Sequence, residues 1–355
     1  MKKMKLNNLP TLTWNFLKLN HAEEQITVKG DDDFSGVSVN ITNNPEGISI
    51  TEEPKAGADI PGGMGAEAEE LFKSVRAREL YIHVLKGVKA EEPLRIDLDY
   101  SDCESGAVKV RVEAEEDSKV NIILNQLGQR EGKGFACFSF KADIQSGASL
   151  KLVKSNLLGR DYTYFENIGA RAADRALFGL IQMELGTKKT YVGVNVDLAG
   201  YKSGFDGDTG YLVRGDELLD MNYVINHIGR KSQSSLMAKG ALKDRAVKNF
   251  RGTIDLRRGA KGAVGDEQEE TLLLSEGVKN KTLPIILCDE EDVEGTHGAS
   301  IGRLSEEVLF YMTSRGISEA EAELLMTRAK LDSIRRLIDD EESQGRIQHY
   351  LETNL

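Results

Sequence analysis

The chain predicts a mainly β fold, with a parallel β-helix as the leading architecture and a helical subdomain at its C-terminal end. Three observations carry this expectation. Short apolar alternations recur from about Leu80 to Val293 with no long helix between them, and a period of two marks strands with one buried face. Small and charged residues punctuate them, as in SGASLKL and RGAKGAV; a stacked coil cannot bury its own inner face, so similar strand-turn units have to repeat. After His297 the apolar period changes to that of a helix. On pattern alone a sandwich or jelly roll stays open beside the solenoid.

Residues 1–75 form an N-terminal region. Trp14 and Phe16 read as an aromatic anchor, 35-SGVSVNIT-42 as a strand, and the Pro-, Gly- and acid-rich run Asn43–Gly65 as a linker or mobile loop. AEAEELFKSV, 66–75, reads as a short helix. Residues 76–300 are the β core, with strands expected at 80–85, 94–100, 107–114, 119–125, 135–143, 149–158, 177–185, 190–200, 211–215, 219–228, 252–260 and 270–275. Ser146-Gly147, Leu185-Gly186, Gly204 to Gly210 and Arg258-Gly259 read as turns. In residues 301–355, Leu304, Val308, Leu309 and Met312 fall at helical spacing, Arg315-Gly316 closes that helix, and Ser318 with Glu321 makes a capping box for the next.

Charge and cysteine usage narrow the function classes. With 46 Lys and Arg against 58 Asp and Glu the formal net charge is -12, which disfavours nucleic acid as a partner because phosphate binding depends on clustered cations. No apolar run reaches the length of a membrane span and no secretory leader is evident, so a cytoplasmic location is expected. Cys103, Cys137 and Cys288 are odd in number and far apart, which suggests reduced thiols.

Local chemistry motifs are sparse. There is no C-x-x-C, H-x-x-x-H or H-E-x-x-H spacing. The loop 206-DGDTGYLVRGDE-217 has acids at calcium-loop positions one, three and twelve, but Tyr211 stands where the sharp-turn glycine is needed. No G-x-x-x-x-G-K-[ST] or G-x-G-x-x-G occurs, so any ATP used in this protein's biology falls to a partner. No nucleophile elbow and no paired carboxylates on one coil face are evident, and the chain reads as a non-enzyme. Of the histidines, His227 sits in an alternating strand and reads as a half-buried residue bonded to backbone. His297 is set between Gly295 and Gly298, with Cys288 and Glu294 upstream. Small neighbours let a partner approach, and a neutral imidazole there can ligate iron or another borderline metal. A structural histidine is the equal alternative on local sequence.

The stretch 296-THGASIGRLSEEVLFYMTSRGIS-318 closely resembles the C-terminal signature of the SufB/SufD family of iron-sulfur cluster assembly proteins, in which a strand ends in an H-G-A-[TS]-x-G turn and continues into LFY-x-x-SRGI. LGTKKTYVGVNVDLAG, NHIGRKSQSS, FRGTIDLRRGAKG and QEETLLLSEGVKNKTLPIIL agree in the same order, so the resemblance covers roughly residues 75–330. It implies a right-handed parallel β-helix whose C-terminal end pairs with a SufB-type chain or a second copy. It also implies helices that dock SufC, an ABC-type ATPase, and a scaffold for a transient iron-sulfur cluster at the chain-chain interface. The SufB type carries an acid directly after the equivalent histidine and a cysteine on the preceding strand. Here Gly298 follows His297 and Gln268-Glu269-Glu270 holds no cysteine, which makes the chain resemble the SufD type. The cysteine that SufD types often carry two residues before the histidine is replaced by Gly295.

By this resemblance His297 is the candidate cluster ligand, with Cys288, Glu294 and His227 as weaker candidates. Cys288 matches no family cysteine position and its plain reading is a small buried strand residue. Leu309, Phe310, Tyr311, Arg315 and Gly316 match the signature that leads into the ATPase-docking helices, and their plain reading is helical core. Flavin binding is left open, since no flavin motif is visible. A β-helix carbohydrate-active enzyme is the alternative function.

Overall fold

The computed structural model describes residues 2–27, 32–53, 58–129 and 131–354; the expected linker at 43–65 thus lies partly outside the described residues. The chain opens with an antiparallel pair, β1 (Lys2–Leu6) and β2 (Ala22–Ile26), followed by β3 (Ser38–Asn43), β4 (Ile48–Thr51) and helix α1 (Ala66–Ser74). The core then runs through β5 (Arg78–Val84), β6 (Leu94–Asp99), β7 (Ser105–Ala114), β8 (Lys119–Leu127), β9 (Lys133–Ile144) and β10 (Ser149–Leu157). It continues with β11 (Asp161–Ala172), β12 (Leu177–Glu184), β13 (Lys189–Leu198), β14 (Gly204–Val213) and β15 (Leu218–His227). The last coils are β16 (Gln233–Leu242), β17 (Val247–Leu256), β18 (Ala263–Leu273), β19 (Lys279–Cys288) and β20 (Val293–Gly302). Helices α2 (Glu306–Thr313), α3 (Glu319–Arg335) and α4 (Glu341–Asn354) close the chain.

Successive core strands alternate between two sheets. One holds β6, β8 and the even strands up to β20, the other β5, β7 and the odd strands up to β19, every pair parallel and in register. This is the stacked parallel β-helix expected, with eight parallel strands per sheet. Its two ends differ. The first coil is closed by β3 and β4, which add antiparallel to β6 and β5, whereas β19 and β20 each have one neighbour. β3 turns a polar face outward, SVNITN, as a terminal cap needs. The strand run TLPIIL of β19 is apolar on both faces, the pattern of a strand covered on both sides.

The lumen is filled by alternate residues of each strand, in a continuous cluster from Val37 to Phe250. Outside the even sheet, Leu331, Ile334 and Ile338 of the α3 region and Ile347 and Leu351 of α4 pack on Ile123, Val153, Ile181, Met183, Leu212 and Ala241. Outside the odd sheet, Met4, Leu6, Met64, Leu71 and Phe72 pack on Ala107, Cys137, Phe165 and Tyr191.

Several expectations are corrected. Gly204 to Gly210 is no turn but the first part of β14; a Cβ at Gly210 would sit 2.7 Å from the Met183 sulfur, so glycine is what lets the outer layer close over this strand. Within the expected linker, residues 48–51 pair with β5, and Gly63 lies so tightly on β13 that a Cβ would meet the Val194 nitrogen at 2.1 Å. Trp14 and Phe16 are no core anchor among the described residues: they are 73% and 71% exposed. The supposed H-G-A-S-x-G turn is continuous strand, since β20 runs through Gly302. Ser318 accepts from the Glu321 N–H and the Glu321 carboxylate answers the Ser318 N–H, so the capping box stands. Among the described residues no helix is long and apolar enough to cross a membrane.

Candidate functional site

Register assigns the faces at the open end. Ala263, Gly265, Glu267, Glu269 and Thr271 of β18 point into the lumen, and they stack on Val293, Gly295, His297, Ala299 and Ile301 of β20. His297 therefore belongs to the inner face, directly over Glu267. It is exposed because, among the described residues, no further coil covers it. The same parity on β19 brings Thr282, Pro284, Ile286 and Cys288 to the rim. Ile286 and Ile301 are 37% and 41% exposed, an unusual state for inward-parity isoleucines and a direct result of the missing coil.

The other candidates separate. Glu294 has the opposite parity to His297 and faces outward. Cys288 is exposed at the end of β19, its thiol on the Glu290 carbonyl at 3.2 Å, so the buried reading is wrong for it. The strand ends there, and among the described residues no strand stacks above it. His227 lies two coils below Cys288 on the same inner column, through Leu256. It is fully buried rather than half-buried, and its ring nitrogens meet the Ser232 and Ser234 hydroxyls at 2.9 Å each. Burial pushes its pKa down to about 4. With both nitrogens engaged it is a structural residue. Among the described residues no group of three or more His, Cys, Asp or Glu side chains is placed to hold a metal ion.

Residues 298-GASIG-302 do carry the G-x-S-x-G letter spacing of a nucleophile elbow, contrary to the expectation that the chain has none. The structure removes its meaning. An elbow needs a sharp strand-to-helix turn, and Ser300 sits within a straight strand, on the outer face opposite His297.

Beneath the mouth the lumen turns polar, a feature the sequence analysis did not find. The Lys248 ammonium contacts the Glu269 carboxylate, both buried, with Tyr211 and Phe250 rings 5.4 Å away. Thr271 links Glu269 at 2.9 Å to the Tyr211 hydroxyl at 2.6 Å. Burial pushes Lys248 down, and burial together with Asp266 pushes Glu267 up to about 7. Deeper in, Tyr223 donates to Gln182, which donates to Glu166, and Lys154 lies between Glu166 and Glu184. The signal was present as polar letters at inward positions of the alternation, such as Lys154 in SLKLVKSNLL, but only the register shows that they converge.

Directly after β20, α2 contributes no buried residue. Phe310 and Tyr311 are 74% and 55% exposed, Leu309 is partly buried, and the Arg315 guanidinium lies 4.2 Å from the Tyr311 ring centroid. Gly316 takes φ +84° to turn the chain into α3. The core reading of these residues thus fails, because α2 stands off the solenoid and leaves its aromatic face free.

A family model described as "SUF system FeS cluster assembly, SufBD core domain" matches residues 100–330. The chain belongs to the SufBD family. The SufBD match covers β7 to α3, so it includes the polar lumen, the open mouth and α2. A relative named iron-sulfur cluster assembly protein SufD, from Bacillus subtilis, is 28% identical over 253 residues, 69% of this chain and 57% of the relative. SufBD family proteins of Galdieria sulphuraria (28% over 164 residues, 46% of this chain and 74% of the relative) and Staphylococcus saprophyticus (34% over 96 residues, 27% and 21%) are also similar. The chain thus spans little more than half the length of the Bacillus relative.

Proposed function

We propose that the chain is a non-catalytic, cytoplasmic scaffold subunit of SUF iron-sulfur cluster assembly. It pairs through the open end of its solenoid with a SufB-type chain or a second copy, and docks a SufC-type ABC ATPase on its C-terminal helices. The observation that carries this is the asymmetry of the ends. One is capped by the antiparallel strands β3 and β4, while the other leaves β20, which carries His297, and β19, with its apolar TLPIIL run, each with one neighbour. Unpaired strand edges recruit another chain. The nascent cluster is cargo here: His297 supplies one imidazole ligand, and the remaining ligands come from the paired chain, since this one brings no thiolate beside it on β20. The exposed aromatic face of α2 receives the ATPase, which hydrolyses the nucleotide for which this chain has no motif. Co-expression with a SufC-type ATPase and a SufB-type chain tests the reading. A stable complex lost on Phe310→Ser/Tyr311→Ser supports it, and a folded chain that captures neither partner overturns it.

One observation favours the alternative, a carbohydrate-active enzyme. Asp206 and Asp208 share the outer face of β14 in a groove of about 860 Å³ with Lys151. Burial, with Asp206 beside it, pushes Asp208 up to about 6, the range of a general acid. Polysaccharide hydrolysis lost in Asp208→Asn is the result that would favour this reading, and no turnover across a polysaccharide panel removes it.

A further inference from the structure

The three most exposed large apolar side chains among those at the N-terminal end are alternate neighbours, Leu12, Trp14 and Phe16, at 79%, 73% and 71%. They crown a single 3-10 turn, Asn15–Leu17, that buries none of its own residues. Trp14 and Phe16 pack on one another edge-to-face at 5.6 Å.

This tip is held rigidly. The Asn20 side chain bridges it, accepting from the Thr13 N–H at 2.8 Å and donating to the Thr13 carbonyl at 3.1 Å, and Leu9 N–H donates to the Asn20 carbonyl. Its base is tied to the last coils. Arg251 of β17, fully buried, reaches the Leu19 carbonyl while pairing with Asp220, and Asp220 in turn accepts from Asn7 at 2.7 Å. Lys281 of β19 donates to the Leu17 carbonyl at 3.0 Å. The tip is therefore fixed to the outer face of the odd sheet at its unpaired edge strand. A preorganised apolar projection of this kind loses little entropy on binding, and a solvent-exposed Trp–Phe pair with no packing role marks an interaction site.

On the same outer face of β19, Leu283, Ile285 and Leu287 form a half-exposed apolar stripe. They continue the register row begun by Lys281. One surface at the open end thus carries both a knob and an apolar strip. That is the requirement for an isologous contact, in which the knob of each protomer rests on the strip of the other about a two-fold axis.

We propose that the Leu12–Trp14–Phe16 tip is a clasp that grips a second copy of this chain, seated edge to edge at the open end, with the tip lying over the partner's β19 face. The proposal rests on the pairing reading above and adds the element that fixes it. The excess of acids over cations, 58 against 46 for a net charge of -12, argues against an anionic lipid surface as the occupant.

The test compares the full chain with Trp14→Ser/Phe16→Ser and with Ile286→Lys by sedimentation equilibrium, each checked for its fold by circular dichroism. The clasp predicts a dimer for the parent and at least a tenfold weaker dissociation constant for the tip variant, as removal of two aromatic anchors at an interface should give. It also predicts loss of the dimer for Ile286→Lys, which touches the edge and not the tip. A tip variant that dimerises like the parent while Ile286→Lys does not overturns the clasp and leaves edge pairing standing. A parent that is monomeric at tens of micromolar overturns self-pairing, and the scaffold reading is then decided by capture of a SufB-type chain and the ATPase. A parent that floats with 3:1 phosphatidylcholine–phosphatidylglycerol vesicles, when the tip variant does not, assigns the tip to lipid and also overturns the clasp.

Discussion

Replacing Lys154 with Met probes the polar interior. The Lys154 ammonium is fully buried between the Glu166 and Glu184 carboxylates, themselves 0% and 1% exposed at the side chain. Glu166 accepts further hydrogen bonds from Tyr164 at 2.7 Å and Gln182 at 2.5 Å, and Glu184 accepts from Asn156 at 3.1 Å. These donors are neutral, so Lys154→Met leaves two carboxylates in the lumen with no counter-charge. Breaking a buried pair from one side costs about 3–5 kcal/mol. Burial, with Glu184 beside it, pushes Glu166 up to about 7 against an ordinary 4.5, despite the ammonium. A folded pKa above the unfolded one gives stability that is complete below about 4.5 and is lost as pH rises through about 7. Lys154 opposes the rise at Glu166, so without it that carboxyl is pushed up further, and the deficit of the variant should be larger at pH 8 than at pH 6. Urea denaturation followed by circular dichroism at the two pH values measures it. Lys154→Met/Glu166→Gln/Glu184→Gln, which removes all three charges, should recover most of the loss. A deficit under about 1 kcal/mol, equal at both pH values, would refute the claim that this cluster holds charge inside the solenoid.

Three further outcomes follow from the same structure. His227, with its folded pKa near 4 against 6.5 unfolded, contributes stability present above pH 6.5 and lost as pH falls toward 4. His227→Gln should therefore show an acid loss between pH 7 and pH 5 smaller than that of the parent by about 2 kcal/mol, read from denaturation midpoints. Gly63→Ala forces a Cβ into the Val194 backbone at 2.1 Å, so limited proteolysis should cut the N-terminal region faster while the solenoid stays intact. Ser318→Ala removes the acceptor of the Glu321 N–H and should cost α3 about 1 kcal/mol, seen as earlier loss of amide-exchange protection in α3 than in the coils.

The coils were legible where strands alternate apolar and polar letters, as in AVKVRVEA of β7 or KVNIILN of β8. They were not where glycine and acid fill the strand. β14 begins GFDGDTG, which scores as turn, and only the stacking between β12 and β16 makes it strand. β11 and β16 escaped for the related reason that inward Glu166 and the serines of QSSLMAKGAL interrupt the apolar period. At the site, the signature located His297, but its face and its place over Glu267 follow from register, which couples residues thirty apart. The mispredicted burial of Cys288 and of α2 has one cause: a strand or helix with apolar letters was assumed to be covered within the chain, whereas here the cover lies outside it.

The most direct test of the scaffold account is anaerobic reconstitution with iron and sulfide in the presence of the SufB-type chain and the ATPase, comparing the parent with His297→Ala. The account predicts that complex assembly is unchanged, while the visible absorption of the bound cluster and its transfer to an acceptor apoprotein fall at least tenfold. Equal cluster formation and transfer by His297→Ala in every combination would contradict it.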